Sequence, residues 1–271
     1  MNEKEDQDFV LYLLVDDKRK ELATYFATRC DVRDGEWYDS FDNVSTLMMA
    51  SEHGYLEIVQ TLLGRGADVH HTNDYDDTAL HKASQEGHIE VVRALLEAGA
   101  DVRRANIDSF TPISLACVGK HLEIFRALVE AGGDVDTLDS RGGTALHSAS
   151  LFGFTEGVRY LVERGADVNK SYTGGNGDTP LTLASYLGRV EVVRALLEAG
   201  AHVNKRNSLG RSPLYLALKE ETWYSEERRQ GMAQVAVLLR EAGAQEPQPH
   251  ELENLEESED EEDEVDDEDD Y

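Results

Sequence analysis

The chain has 271 residues, of which 40% are hydrophobic and 30% charged, and a formal net charge of −29. That composition fits a soluble protein with a modest core, and without an apolar run near about 18 residues no membrane helix is expected. Sixteen acidic residues and no Lys or Arg follow from Glu246 onward, leaving about −13 on the rest; both parts repel phosphate backbones, so direct nucleic-acid binding is not expected.

The opening MNEKEDQD is too acidic and polar for a signal or transit peptide. Cys30 and Cys117 lie far apart and in no metal-ligand spacing, which argues for a reducing compartment, cytoplasm or nucleus. Residues 9–32 predict two short helices, Phe9 to Val15 and Lys20 to Thr28, ending in Cys30-Asp31-Val32.

From Ser45 onward one word recurs: STLMMA, TALHKA from Thr78, TPISLA from Thr111, TALHSA from Thr144, TPLTLA from Thr179 and SPLYLA from Ser212. Its Thr or Ser is a helix N-cap whose hydroxyl satisfies an orphan backbone N–H. Pro112, Pro180 and Pro213 follow at the first helical position, where a missing N–H costs nothing. His81 and His147 stand three residues after their caps and are placed to bond back to them. Each first helix is predicted to end near Gly54, Gly87, Gly153 or Gly188; Lys120 replaces that glycine in the third copy and predicts a strained turn.

A second helix follows each first one. Ile58, Val59, Leu62 and Leu63 recur as Val91, Val92, Leu95 and Leu96, as Ile124, Phe125, Leu128 and Val129, and as Val192, Val193, Leu196 and Leu197. That spacing makes one apolar stripe. Gly-Ala-Asp-Val or a near copy then closes the unit at Gly66, Gly99, Gly132, Gly165 and Gly200, at intervals of 33, 33, 33 and 35 residues. The glycine predicts a left-handed turn.

Two words in one register, one in six copies and the other in five, resemble the ankyrin-repeat family, whose 33-residue unit carries the T-P-L-H-x-A word. The resemblance spans about residues 9–245. It implies an all-α solenoid of stacked helix-turn-helix units with β-hairpin or turn fingers, since helices this short are marginal alone and hold together by stacking. The organisation expected is a degenerate N-terminal capping repeat at 1–40, six repeats at 41–245 with a charged insert near Lys219 to Gly231, and a disordered acidic tail at 246–271.

The same resemblance implies where a partner binds: on the finger tips and the first helices. Phe41, Tyr75, Ile107, Phe110, Val118, Arg141, Leu151, Phe152, Tyr186, Leu187 and Leu209 fall at those positions, and the apolar ones are expected to form an exposed ridge. Asn169 and Asn204 occupy places where the family is hydroxylated on asparagine, against a plain reading as turn residues bonding their own backbone. Ser258, in EESEDEE, resembles an acidophilic-kinase site. The Gly-rich finger YTGGNGD at 172–178 has no Lys-Ser/Thr after it and is no phosphate loop.

No catalytic word appears (HExxH, GxSxG, GxGxxG and the P-loop are all missing), so neither an enzyme nor a bound metal or cofactor is expected. The expected function is a monomeric protein-interaction module, an adaptor, scaffold or stoichiometric inhibitor that binds protein and no membrane. Two alternatives stay open: an escort that holds a basic client with the acidic tail, and a substrate receptor for a ubiquitin ligase.

Overall fold

The computed structural model describes residues 43–132, 134–139, 141–219 and 224–248. The expected capping repeat, Phe41, Cys30, Ser258 and nearly all of the acidic tail lie outside the described residues.

Among those residues there are twelve helices and no strand. In chain order they form six pairs: α1 (Thr46–Glu52) with α2 (Leu56–Gly64), α3 (Ala79–Glu86) with α4 (Ile89–Glu97), α5 (Pro112–Val118) with α6 (Leu122–Gly132), α7 (Ala145–Leu151) with α8 (Thr155–Glu163), α9 (Pro180–Tyr186) with α10 (Val190–Glu198), and α11 (Pro213–Leu218) with α12 (Glu226–Glu241). The chain divides into two compact units, the first ending at Ser148 and the second beginning at Ala149. In the first, α3 packs between α1 and α5, and α4 between α2 and α6. In the second, α9 packs on α11, and α10 between α8 and α12.

The caps explain why these short segments are helical. Ser45, Thr78, Thr111, Thr179 and Ser212 each accept, through the side-chain oxygen, the backbone N–H three residues on. His81 Nδ1 accepts the Thr78 N–H at 3.1 Å, and His147 Nδ1 accepts the Thr144 N–H at the same distance. Where histidine is replaced, Ser114 and Thr182 supply the reciprocal oxygen at 2.7 Å.

At the far end, Gly66, Gly99, Gly165 and Gly200 take φ between 84° and 90°. The N–H of the following alanine then closes on the carbonyl of Leu62, Leu95, Leu161 or Leu196. Gly243-Ala244 repeats this closure on Leu239, although Gln245 and Glu246 stand where the word has Asp and Val. Gly132 departs from the expectation: it is the last residue of α6, which runs to 11 residues, and is not left-handed.

The buried stripe is narrower than the periodicity predicts. Ile58, Val59 and Leu62 and their counterparts are buried, but Leu63, Leu96 and Leu197 are half-buried; Val129 alone of the fourth position is buried. Fully buried small residues, Ser51, Ser84, Cys117, Ser150 and Ser185, recur near the end of the first helices, where a larger side chain would force neighbouring helices apart. Lys120 does take a left-handed backbone, φ 55°, in the turn where the other repeats use glycine.

Candidate protein-binding surface

Four of the fingers are tight turns, not paired ladders, each held by an Asn or Asp side chain. In the finger at 73–77 the Asn73 side-chain oxygen accepts the N–H of Tyr75 at 3.0 Å and of Asp77 at 2.8 Å. Asp76 donates its N–H to the Asn73 carbonyl at 3.0 Å, and Asn73 donates to the Asp77 carbonyl at 3.1 Å. Asn106 does the same work at 106–110, accepting the Phe110 N–H at 2.8 Å. Asp139 accepts from Arg141 and Gly143, and Asn207 from Leu209 and Arg211. These four anchors, each five residues before its cap, were missed in the sequence, although their spacing follows the same beat.

The fingers are also tied to one another within each unit. Ile107 donates its backbone N–H to the Tyr75 carbonyl at 3.0 Å, and Asn106 Nδ2 donates to Asp77 Oδ1 at 2.8 Å. Arg141 Nη1 donates to the Ser109 carbonyl at 2.7 Å. In the second unit Ser208 donates its N–H to the Asn176 carbonyl at 2.7 Å, and Asn207 Nδ2 reaches Asp178 Oδ1 at 2.9 Å. The backbone of the tips is thereby fixed before any partner arrives.

The expected contact residues divide by burial. Tyr75 is 48% exposed, Ile107 56%, Val118 50% and Leu209 53%, and Arg141 is exposed as well. Tyr75 and Ile107 sit on adjoining tips of the first unit. Phe110, Leu151, Phe152, Tyr186 and Leu187 are half-buried, not exposed as expected. Phe110 lies at the base of its finger, where His81 Nε2 donates to its carbonyl at 3.1 Å. The Arg189 side chain runs past Gly153 and donates from Nε to the Leu151 carbonyl at 3.3 Å, covering the end of α7. Arg228 stacks over the Tyr186 ring at 4.5 Å and over Tyr224 at 3.6 Å. Its Nη2 also donates to the Tyr186 carbonyl at 3.1 Å. Leu187 is the C-cap beside Gly188, against whose backbone α12 packs.

The histidines serve the scaffold. His88 Nε2 donates to the Glu52 carbonyl at 2.8 Å, and His121 Nε2 to the Gln85 carbonyl at 3.1 Å. Arg189 and Arg228 make the equivalent reach in the second unit, whereas Phe154, at the same position, carries no donor. Among the described residues no three His, Cys, Asp or Glu side chains converge as a metal ion requires, and no helix is long and apolar enough to cross a membrane. Cys117 is buried, and burial pushes its thiol well above the usual range, which keeps it protonated and unreactive.

Both candidate hydroxylation acceptors are engaged. The Asn169 side-chain oxygen accepts the His202 N–H at 2.7 Å, and its carbonyl accepts Lys205 Nζ at 2.6 Å. The Asn204 amide accepts the Gln245 N–H at 2.8 Å and donates to the Gly243 carbonyl at 3.3 Å.

Capped helix pairs on a 33-residue beat, joined by tied turns that present side chains outward, define a repeat-built binding scaffold. Family models agree: one described as ankyrin repeats (3 copies) matches residues 4–106 and 103–172, and one described as ankyrin repeat matches 176–208. The chain belongs to the ankyrin-repeat family. Its structure is similar to the crystal structure of the human ASB11 ankyrin repeat domain, with a TM-score of 0.68, 25% identity, and coverage of 88% of this chain and 99% of that one. A comparison with curated proteins finds no match. Ankyrin repeats are in general protein-interaction modules and typically carry no catalysis.

Proposed function

We propose that this chain is a non-catalytic adaptor, scaffold or stoichiometric inhibitor, working in the cytoplasm or nucleus, that holds a protein partner on its finger tips and first helices. The observation that carries this is the pair Tyr75 and Ile107. Both are about half exposed, and they stand on turns tied together through the 3.0 Å bond between their backbones. Apolar side chains kept in water on a fixed backbone contribute little to folding. They lower the ordering cost of binding, because the surface is already in its bound form. Val118, at the end of α5 in the same unit, is exposed in the same way.

A second reading is an escort for a basic client, supported by the 16 acidic residues from Glu246 onward. One capture experiment separates the two. Wild-type chain, Tyr75→Ala/Ile107→Ala and a chain lacking residues 249–271 are used as baits at low and high salt. The module reading expects the double substitution to lose the bound protein by about tenfold or more, with a melting temperature within a degree or two of wild type. Salt-dependent loss confined to the tail-less chain supports the escort instead. Equal recovery by all three baits contradicts both.

A further inference from the structure

The tips that carry Tyr75 and Ile107 combine exposed apolar surface with exposed carboxylates, whereas the tip of Leu209, also exposed, carries none. We infer that the fingers at 73–77 and 106–110 seat a basic segment of the partner protein. That segment places an apolar side chain beside Tyr75 and Ile107, and Lys or Arg on Asp74 and Asp108. The inference rests on the binding-module reading and names the chemistry of its partner.

Each tip sets an exposed carboxylate next to its exposed apolar residue, Asp74 beside Tyr75 and Asp108 beside Ile107. The backbone bond from Ile107 to Tyr75 brings the two dipeptides side by side. Other acids of these fingers are already neutralised: Asp76 pairs with Arg104 at 3.2 Å, and Asp77 with Lys82 at 3.0 Å while accepting from Asn106. Asp74 and Asp108 pair with no cation among the described residues. Two carboxylates without an ion-pair partner therefore flank one apolar patch, with the Arg141 guanidinium on the Ser109 carbonyl next to Asp108. A Lys or Arg arriving there meets opposite charge without breaking an existing pair, whereas an acidic segment meets repulsion from both sides. The chain's net charge of −29 adds long-range attraction for a basic partner.

The corners of these two fingers point the same way. Asp76 and Ser109 turn them with φ of 59° and 68°, as Asn43 does with φ 55° ahead of Ser45, while Gly142, Gly177 and Gly210 take the equivalent corners further along the chain. A side chain in the left-handed region is destabilising where glycine is not. In one finger it supplies the Asp76–Arg104 pair; in the other, Arg141 grips the Ser109 carbonyl, which any residue at that corner would offer. Both interactions hold the patch in shape.

The test pans a displayed random peptide library on the full chain, on Tyr75→Ala/Ile107→Ala and on Asp74→Asn/Asp108→Asn, all with the acidic tail intact, with Phe152→Ala/Leu209→Ala and a chain lacking residues 249–271 as two further baits, and with melting curves recorded for each. Peptides enriched on wild type are synthesised and titrated at two salt concentrations. The expected ligands carry one aromatic or aliphatic residue flanked by Lys or Arg. They bind the apolar double variant at least about tenfold more weakly. The Asn pair costs them about threefold at low salt and nothing at high salt. Ligands of neutral or acidic composition overturn the inference, and so does a failure to enrich any peptide. Ligands indifferent to both variants but lost on Phe152→Ala/Leu209→Ala overturn it too, while leaving the binding-module reading standing. Ligands lost only when residues 249–271 are removed overturn both.

Discussion

His81 shows how much one side chain does in this structure. Its Nδ1 accepts from the Thr78 N–H and its Nε2 donates to the Phe110 carbonyl, so only the neutral Nε2–H form fits both partners. Burial is the larger influence and lowers its pKa from the ordinary value of 6.5, against the pull of nearby Asp77. A group that stays neutral when folded takes up its proton more readily when unfolded. The stability it contributes is thus complete above about pH 6.5 and is lost as pH falls below that value. The melting temperature is expected to drop between pH 7 and pH 5, and His81→Gln is expected to start lower and to show a flatter pH profile. A wild-type profile no steeper than that of the variant removes His81 from the explanation. The N-terminal half of this arrangement was legible in the sequence from the Thr-x-x-His spacing. The bond to Phe110 was not, because no local pattern encodes a contact across 29 residues. Phe110 and Phe152 were misjudged for the same reason: their burial is set by neighbouring repeats.

At the scale of the element, the helix pairs were readable because their causes are local: a cap, a stripe and a closing glycine. α12 was the least readable. Its 16 residues begin in the charged insert, and Ser225 caps it by accepting the Arg228 N–H at 3.3 Å. It lies against the end of α9 through a glycine-on-glycine contact. A Cβ on Gly231 would stand 2.5 Å from the Gly188 carbonyl oxygen, and one on Gly188 2.7 Å from the Met232 nitrogen. Both neighbours are backbone and have little room to give. Gly231→Ala is therefore expected to destabilise the chain by about 1–3 kcal/mol, although alanine favours a helix by about 1 kcal/mol over glycine. Denaturant titration checks it: a neutral or stabilising effect would show that α12 does not approach so closely. The same approach places Arg228 over Tyr186, which explains why that ring is half-buried.

For the molecule as a whole, charge is the dominant property. Fifty-five Asp and Glu stand against 26 Lys and Arg. The surface ion pairs that offset them are mostly short-range and exposed, such as Arg93–Glu90 and Arg126–Glu123, each contributing little. Self-repulsion should then oppose the compact state, and salt should relieve it. The melting temperature at neutral pH is expected to rise by several degrees between about 10 mM and 500 mM sodium chloride. A fall over that range would mean that the exposed pairs outweigh the excess charge. The repeat architecture was legible at this scale from two words alone. The surface was legible only in part, because burial of a given position depends on what the adjoining repeat places over it: Arg189 over the end of α7, Arg228 over Tyr186, nothing over Ile107.

The reach of His88 and His121 back to Glu52 and Gln85, and of Arg228 back to Tyr186, has a consequence for how the protein is made. In each case the last turn of a first helix has an outward carbonyl satisfied by a residue still to be synthesised. A chain emerging from the ribosome therefore trails a helix end in need of a donor that arrives some 36 to 42 residues later. Each of these helix ends is completed late, fastened like a button by the repeat made after it.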